Sequence, residues 1–200
     1  MVKKRRKRKG FFRENYNLSW KYLKETKNFI YAIIILFAVF ILVGAFIPVP
    51  PLLEQKILDF IREILEKTAG MSRGELTSFI FFNNLQSSLM GMVFGIFLGI
   101  FSVLTIVSNG YILGFVSAKV AQSGGAIVLW RLLPHGIFEL PALFISMALG
   151  LKLGTFIFHK KKFDTLKNFI LNSLRVFFFV VVPLLIVAAI IEGGLIVLTG

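Results

Sequence analysis

The chain has 200 residues, of which 56% are hydrophobic, and its mean hydropathy is +0.82. A soluble domain of this size and composition would expose an insoluble surface, so lipid must be the solvent of a single compact domain. The absence of cysteine excludes a disulfide framework, a thiolate zinc site, an iron–sulfur cluster and a cysteine nucleophile. We therefore expect an all-α, polytopic transmembrane helical bundle of about five spans.

The net charge of +13 is concentrated at the N-terminus, where residues 3–9 are all lysine or arginine. Such a run can bind nucleic acid, but beside a membrane span it more often fixes orientation and contacts anionic headgroups. We therefore predict the lipid bilayer, and no nucleic acid, as its partner. Residues 1–27 are assigned to a basic cytoplasmic tail and residues 28–200 to the transmembrane domain.

The first apolar stretch, Phe29–Val49, carries no charge and has about the 20 residues that cross the hydrocarbon core. Pro50 and Pro51 end it. In residues 52–67 apolar side chains recur at helical spacing with charged residues between them, which predicts an amphipathic helix on the exterior side. Packing on the protein's own spans is the expected use of this helix, and a site for a protein partner is the alternative.

The second apolar region, Phe79–Val107, begins with a polar cluster that is not expected to face lipid. This cluster consists of Asn83, Asn84, Gln86, Ser87 and Ser88. Further along, Gly91, Gly95 and Gly99 recur every four residues, so on one helix they would share a face that another backbone can approach closely. A partner helix within the same chain is expected, and a homodimer is the alternative.

Ser108, Asn109 and Gly110 predict a tight turn before a third apolar segment, residues 111–121, which either spans the membrane or re-enters it. Prolines and ionisable residues then indicate a broken or re-entrant segment around residues 122–141. The last two spans are expected at about Phe138–Phe158 and Leu174–Leu198.

The basic residues predict the orientation. With the N-terminus in the cytoplasm, the segments on that side hold most of the lysines and arginines, including Lys152 and Lys160–Lys162, as the positive-inside rule requires. Five crossings then place the C-terminus on the exterior. The expected location is the cell membrane, as a multi-pass protein.

His135 and Glu139 lie at membrane depth and are four residues apart, so they share one face of a helix. A charge at the bilayer centre costs roughly 2.5–3.5 kcal/mol, so such groups usually pair or line a wet cavity. The pair could relay a proton, bind a divalent metal, or hold a helix break by hydrogen bonding. The structural role is favoured, because two ligands alone do not complete a metal site. The candidate polar intramembrane residues are Asn83, Asn84, Asn109, Arg131, His135 and Glu139.

Residues Leu133–Ala142, which read LPHGIFELPA, resemble the Pro-His-Gly-x-x-Glu signature of the stage II sporulation protein M family. The early single span, the helical connection after it, Asn83-Asn84 and the small residues at Asn109-Gly110 also resemble this family. The resemblance implies an integral membrane protein. In the family that the chain resembles, the namesake is a membrane partner of proteins that degrade septal peptidoglycan, whereas relatives occur in organisms that form no spores.

Three classes of function are compatible with these features. A non-catalytic scaffold that recruits partners through residues 52–67 or the basic tail is favoured. A small transporter or channel is the alternative, because the polar residues 83–88 and the prolines 134 and 141 could surround an ion or a proton. An intramembrane enzyme is not expected, since the sequence has no His-Glu-x-x-His, Gly-x-Gly-Asp or nucleophile-elbow motif. No cofactor is implied beyond the divalent metal considered at His135 and Glu139.

Overall fold

The computed structural model describes the backbone of residues 10–124 and 133–199, and the side chains of residues 10–122 and 138–191. All regular structure within these ranges is helical. The α-helices are α1 (Phe11–Phe46), α2 (Pro51–Thr68), α3 (Arg73–Val93), α4 (Ile100–Gly124), α5 (Leu133–Gly154), α6 (Lys162–Val176) and α7 (Val182–Thr199). Short 3-10 turns follow α3 and α5, and one π-helical turn, Phe177–Val181, joins α6 to α7.

Five helical segments of the described chain are long and apolar enough to cross a membrane. They are Phe11–Phe46, Arg73–Ile96, Ile100–Gln122, Phe138–Phe158 and Lys162–Ile191. The predicted all-α bundle of about five spans is therefore confirmed. Residues 111–121 form the second half of α4, so they belong to a helix of spanning length.

We name the two ends of the bundle by the helices that lie there. At the α2 end, α1 and α4 finish and α3 begins; at the α6 end, α5 finishes and α6 begins. The ion pair between Lys119 of α4 and Glu54 of α2, at 2.6 Å, joins two helices at the α2 end.

The turn between the second and third spans lies at residues 97–99, so the prediction of a turn at Ser108–Gly110 was wrong. Leu98 and Gly99 both have positive φ angles, 56° and 73°, which reverse the chain after the 3-10 turn Phe94–Ile96. Asn109 instead lies inside α4, where its Nδ2 donates to the carbonyl oxygen of Thr105 at 2.8 Å. Within lipid the helical hydrogen bonds outweigh the turn preference of Asn and Gly, because an open backbone has no water to bind.

Helix α5 runs without interruption from Leu133 to Gly154 and includes Pro141. Pro134 is its second residue, a position that tolerates proline because the first amides of a helix have no internal partner. Of the segment predicted to be broken or re-entrant, residues 133–141 are thus regular helix. Residues 125–132 lie outside the described part of the chain.

Helix α1 begins at Phe11, well before the predicted start of the first span at Phe29. Its 36 residues measure about 54 Å, whereas the hydrocarbon core is about 30 Å thick. The additional turns pack at the α6 end, where Arg175 Nε donates to Asn15 Oδ1 at 3.0 Å. Residues 11–27 of the predicted tail therefore continue the first span as helix.

Helix α2 packs on the protein's own spans over only part of its surface, where Ile57 is buried and Glu54 pairs with Lys119 of α4. Ile57 is the one buried residue of α2, and among the described side chains the three apolar clusters of the core include none from this helix. Leu53, Phe60 and Ile64, on the same face as Ile57, are exposed. The spans fill the core with one another, so the apolar face of α2 has no described partner there.

The spans approach one another closely at glycines. A Cβ built at Gly95 would lie 2.5 Å from backbone atoms of Gly150, and one at Gly99 would meet Leu151. Gly91 faces Met147, so all three predicted packing glycines lie against α5 of the same chain, although they do not share one helix: Gly91 belongs to α3, Gly95 to the 3-10 turn and Gly99 to the turn before α4. On the other side of α4, Gly110 and Gly114 lie against the α1 backbone.

We predict that Gly150→Ala destabilises the bundle by roughly 1–3 kcal/mol, the cost of overpacking. The new methyl group would lie 2.8 Å from the carbonyl oxygen of Gly91 and 3.0 Å from Cα of Met92. Gly74→Ala is the matched control, because no atom lies within 4 Å of a Cβ there and alanine favours helix. Thermal unfolding in detergent, followed by circular dichroism, measures both. Equal melting temperatures for the two variants would contradict the packing described here.

Candidate functional site

A small polar cavity of about 60 Å³ lies between α3, α4 and α5. Its lining consists of Asn83, Asn84, Ser87 and Ser88 of α3, Asn109 of α4, and Glu139 and Leu143 of α5. The structure thus brings together four of the candidate polar residues, which are separated by up to 56 positions in sequence (139 − 83 = 56). Leu143 is the one apolar side chain in this lining.

The helical repeat explains why α3 supplies four of these side chains. Asn83, Asn84, Ser87 and Ser88 recur with a spacing of one turn, so they form two adjacent rows on one face of α3. Counted from Arg73, Asn83 is about 15 Å along the helix, which is near the middle of a hydrocarbon core about 30 Å thick. The cavity therefore lies at membrane depth and not at a headgroup surface.

The cavity opens at the surface of the bundle and closes inside it. Asn83 and Asn109 are exposed, whereas Ser88 is 2% exposed and Leu143 is 7% exposed. The exposure of Glu139 is intermediate. Asn83 and Gln86 of the polar cluster are exposed, because consecutive residues of a helix cannot all face inward, and the expectation that the cluster does not face lipid stays a prediction.

His135 and Glu139 both belong to α5 and are one turn apart in that helix. The side chain of His135 lies outside the described residues, as does Arg131 entirely, so their predicted parts in the site stay predictions. Among the described side chains, no three His, Cys, Asp or Glu residues converge as metal ligands. Divalent metal binding at His135 and Glu139 likewise stays a prediction.

The described lining has the chemistry of a site for water, a proton or a hard cation. It presents one carboxyl group, amide oxygens and hydroxyl groups, and oxygen ligands of this kind suit hard cations. A volume of about 60 Å³ is enough for one or two water molecules, each of which needs two to four polar partners. The arrangement provides more than that number of partners.

Sequence reasoning missed a second polar centre, at the α6 end. Lys152, which the charge pattern had assigned to the cytoplasmic side, is 7% exposed inside the bundle. Its Nζ donates to Thr26 Oγ1 at 3.1 Å and lies 3.8 Å from the ring centroid of Tyr22 and 5.5 Å from that of Phe169. The one-turn spacing of Tyr22 and Thr26 on α1 was the available signal, because a cation can be held by a ring and a hydroxyl in that arrangement.

Comparison with known proteins places these helices in a family. The family model described as stage II sporulation protein M matches residues 33–195, which confirms the resemblance carried by residues 133–142. A protein of Methanocaldococcus jannaschii, described as uncharacterized, is 36% identical over 118 residues. That alignment covers 56% of this chain and 51% of the relative, so the chain spans about half the length of the curated relative it matches. No solved structure is detectably similar to the chain.

We predict that the cavity holds water in the membrane-embedded protein. Radiolytic hydroxyl labelling of the protein in lipid nanodiscs, read by mass spectrometry, should therefore oxidise Leu143 although it is 7% exposed. Bound water produces the radicals beside the side chain that they modify. Leu149, which is fully buried outside the cavity, is the internal control and should stay at background. Equal labelling of the two leucines would contradict a hydrated cavity.

Proposed function

We propose a function from the premise that the chain belongs to the stage II sporulation protein M family: it is a non-catalytic membrane scaffold that recruits a protein partner through α2. The observation that carries the proposal is the largely exposed apolar face of this helix. Membership in the family and the five helices of spanning length already make it a multi-pass membrane protein. The recruiting role that the resemblance implies for the namesake is of the same kind.

The apolar face of α2 supports docking of another protein. Leu53 is 42% exposed, Phe60 51% and Ile64 37%, and their spacing places them in one stripe with Ile57. A stripe of apolar side chains at this spacing is the form in which an amphipathic helix binds a hydrophobic groove. Exposed apolar patches of this kind mark interaction sites in general.

The opposite face of α2 carries charged side chains that are exposed. Lys67 Nζ donates to Glu63 Oε1 at 2.7 Å, and Arg62 lies 3.5 Å from Asp59. The hydrogen bond from Lys67 holds the pKa of Glu63 below its ordinary value, so this carboxyl group stays charged at neutral pH. The two faces therefore differ sharply in polarity, which orients the helix relative to any surface that it contacts.

We further propose that the α2 end faces the exterior and the α6 end the cytoplasm. The basic residues 160–162 begin the connection at the α6 end, and in sequence the basic run at residues 3–9 precedes α1, whose first residues lie at that end. The positive-inside rule assigns such clusters to the cytoplasm, where they attract anionic headgroups. An exterior α2 would meet partners outside the cell membrane.

We predict that the wild-type protein captures a specific exterior protein. The apolar-face variant, Phe60→Ser with Ile64→Ser, should lose at least nine-tenths of that capture. Burying each of these side chains is worth roughly 1.5–3 kcal/mol, so losing both exceeds a tenfold effect. Intact cells are treated with a membrane-impermeant lysine cross-linker, which reaches Lys56 and Lys67 only from outside. Captured proteins are then purified and identified by mass spectrometry.

The matched control on the charged face is Asp59→Ser with Glu63→Ser, which removes exposed ion pairs of little energetic value and keeps both lysines. This variant should capture the same protein as the wild type. Undiminished capture by the apolar-face variant would refute the proposal. So would the absence of a specific product from intact cells, which is the result expected of a face that contacts only lipid.

A second candidate function, conduction of a proton or a small cation, is favoured by one observation. Three helices place Glu139, Asn83 and Asn109 around a cavity at membrane depth, and transport sites of membrane proteins are built in this way. Under this proposal His135, one turn before Glu139, belongs to the same path.

If the cavity conducts, Glu139→Gln and His135→Ala should each lower flux of protons or monovalent cations into liposomes by about tenfold or more. Removal of either group takes away the charge or hydrogen bond on which the path depends. Glu25→Gln, at an exposed carboxylate of α1 outside the cavity, is the control and should leave flux unchanged. Flux that is equal in all four proteins, wild type included, would exclude the conduction proposal and leave the scaffold proposal untouched.

A further inference from the structure

A large apolar groove runs along the side of the bundle between α1, α5 and α7. Its volume is about 840 Å³, within the range of about 300–1,000 Å³ that small-molecule sites occupy. The walls are formed almost entirely by apolar side chains, among them Ile30, Ile34, Phe144, Leu184 and Val187. The groove is separate from the polar cavity and from α2, so binding in it is independent of the proposed function.

Basic and aromatic residues mark one end of the groove. Lys24 and Lys27 are the charged side chains of its lining, and Tyr16 and Trp20 lie beyond them toward the α6 end. All four belong to α1, whose groove residues continue at helical spacing through Ile30 to Ile34. The groove therefore has a cationic, aromatic mouth and an apolar interior.

The apolar part of the groove fits within the hydrocarbon of one leaflet. Ile34 is about 10 Å along α1 from Lys27, and the hydrocarbon of one leaflet is about 15 Å deep. Tyrosine and tryptophan are enriched at membrane–water interfaces, and Tyr16 and Trp20 lie on the side of Lys27 away from the apolar interior of the groove. Lysine at such an interface attracts anionic headgroups.

The walls include two prolines, Pro141 of α5 and Pro183 of α7. A proline ring extends less far from its helix than the long apolar side chains beside it, and it removes a helical hydrogen bond. A π-helical turn precedes Pro183 in the same helix. The groove lies beside these features, and a mobile chain from the bilayer would supply the dispersion contacts that its walls lack.

We propose that one anionic phospholipid occupies this groove, with a hydrocarbon chain along Ile30 and Ile34 and its phosphate group at Lys24 and Lys27. The occupant is a lipid and not a soluble apolar ligand, because the groove opens sideways where the bilayer lies. It is anionic because every charged group in the lining is a lysine.

The test is quenching of tryptophan fluorescence by lipids that carry bromine midway along the chain. Trp20→Phe and Trp130→Phe remove the two native tryptophans. In that background the Ile34→Trp variant reports from inside the groove, and the Ile35→Trp variant reports from the adjacent position that faces bulk lipid. Each protein is reconstituted in phosphatidylcholine vesicles that contain a rising fraction of brominated phosphatidylglycerol.

We expect half-maximal quenching of the Ile34→Trp variant at a several-fold lower fraction of brominated phosphatidylglycerol than for the Ile35→Trp variant. Adding Lys24→Gln to the Ile34→Trp variant should raise that fraction by about fivefold, and adding Lys27→Gln should do the same. One basic residue near an anionic surface contributes roughly that factor. Lys21→Gln, an exposed lysine of α1 outside the groove, should not change the fraction.

Superimposable quenching curves for the two reporters would overturn the proposal, because the groove would then exchange lipid like the rest of the surface. A preference that survives both lysine substitutions would overturn it as well. A third outcome has the same meaning: if the Ile34→Trp variant resists quenching by every brominated lipid and the protein sediments as a dimer, a second copy of the chain fills the groove.

Discussion

The close approach of α5 to the corner between α3 and α4 is the contact on which the rest of the fold depends. Gly95 meets Gly150, and Gly99 lies beside Leu151 and Gly154, so backbones touch where side chains would otherwise separate them. Lipid is as apolar as the helix surfaces, so burial alone does not hold spans together and packing of backbones must. The same approach brings Glu139 to Asn83 and Asn109 and thereby creates the polar cavity.

Helix α5 divides the interior into two environments. Glu139 and Leu143 face the polar cavity, whereas Phe138, Pro141 and Phe144 face the apolar groove on the other side of the helix. The periodicity of the helix permits this division, because residues about two apart in sequence point to opposite sides. Residues 138–144 of α5 therefore form the wall between the polar and apolar surfaces of the protein.

Features that depend on composition could be predicted from the sequence, whereas turns and helix contacts that depend on packing between helices could not. The five spans follow from long apolar stretches, and Asn83, Asn84 and Glu139 could be named as candidate residues because polar groups are costly in lipid, whereas their meeting in one cavity is seen only in the structure. The turn at Leu98 was missed, because an apolar residue with a positive φ carries no turn signal in sequence. The packing of Gly110 on α1 was missed for a related reason, since Asn109-Gly110 in isolation favours a turn.

The buried ammonium group of Lys152 has a consequence for biogenesis. During synthesis α1 emerges before α5, and its uncharged second half can enter the bilayer alone. Helix α5 brings its lysine to Thr26 and Tyr22 of α1, partners that exist only once the first span is made. Insertion of the fourth span is thus coupled to a span already made, and the order of translation becomes the order of assembly.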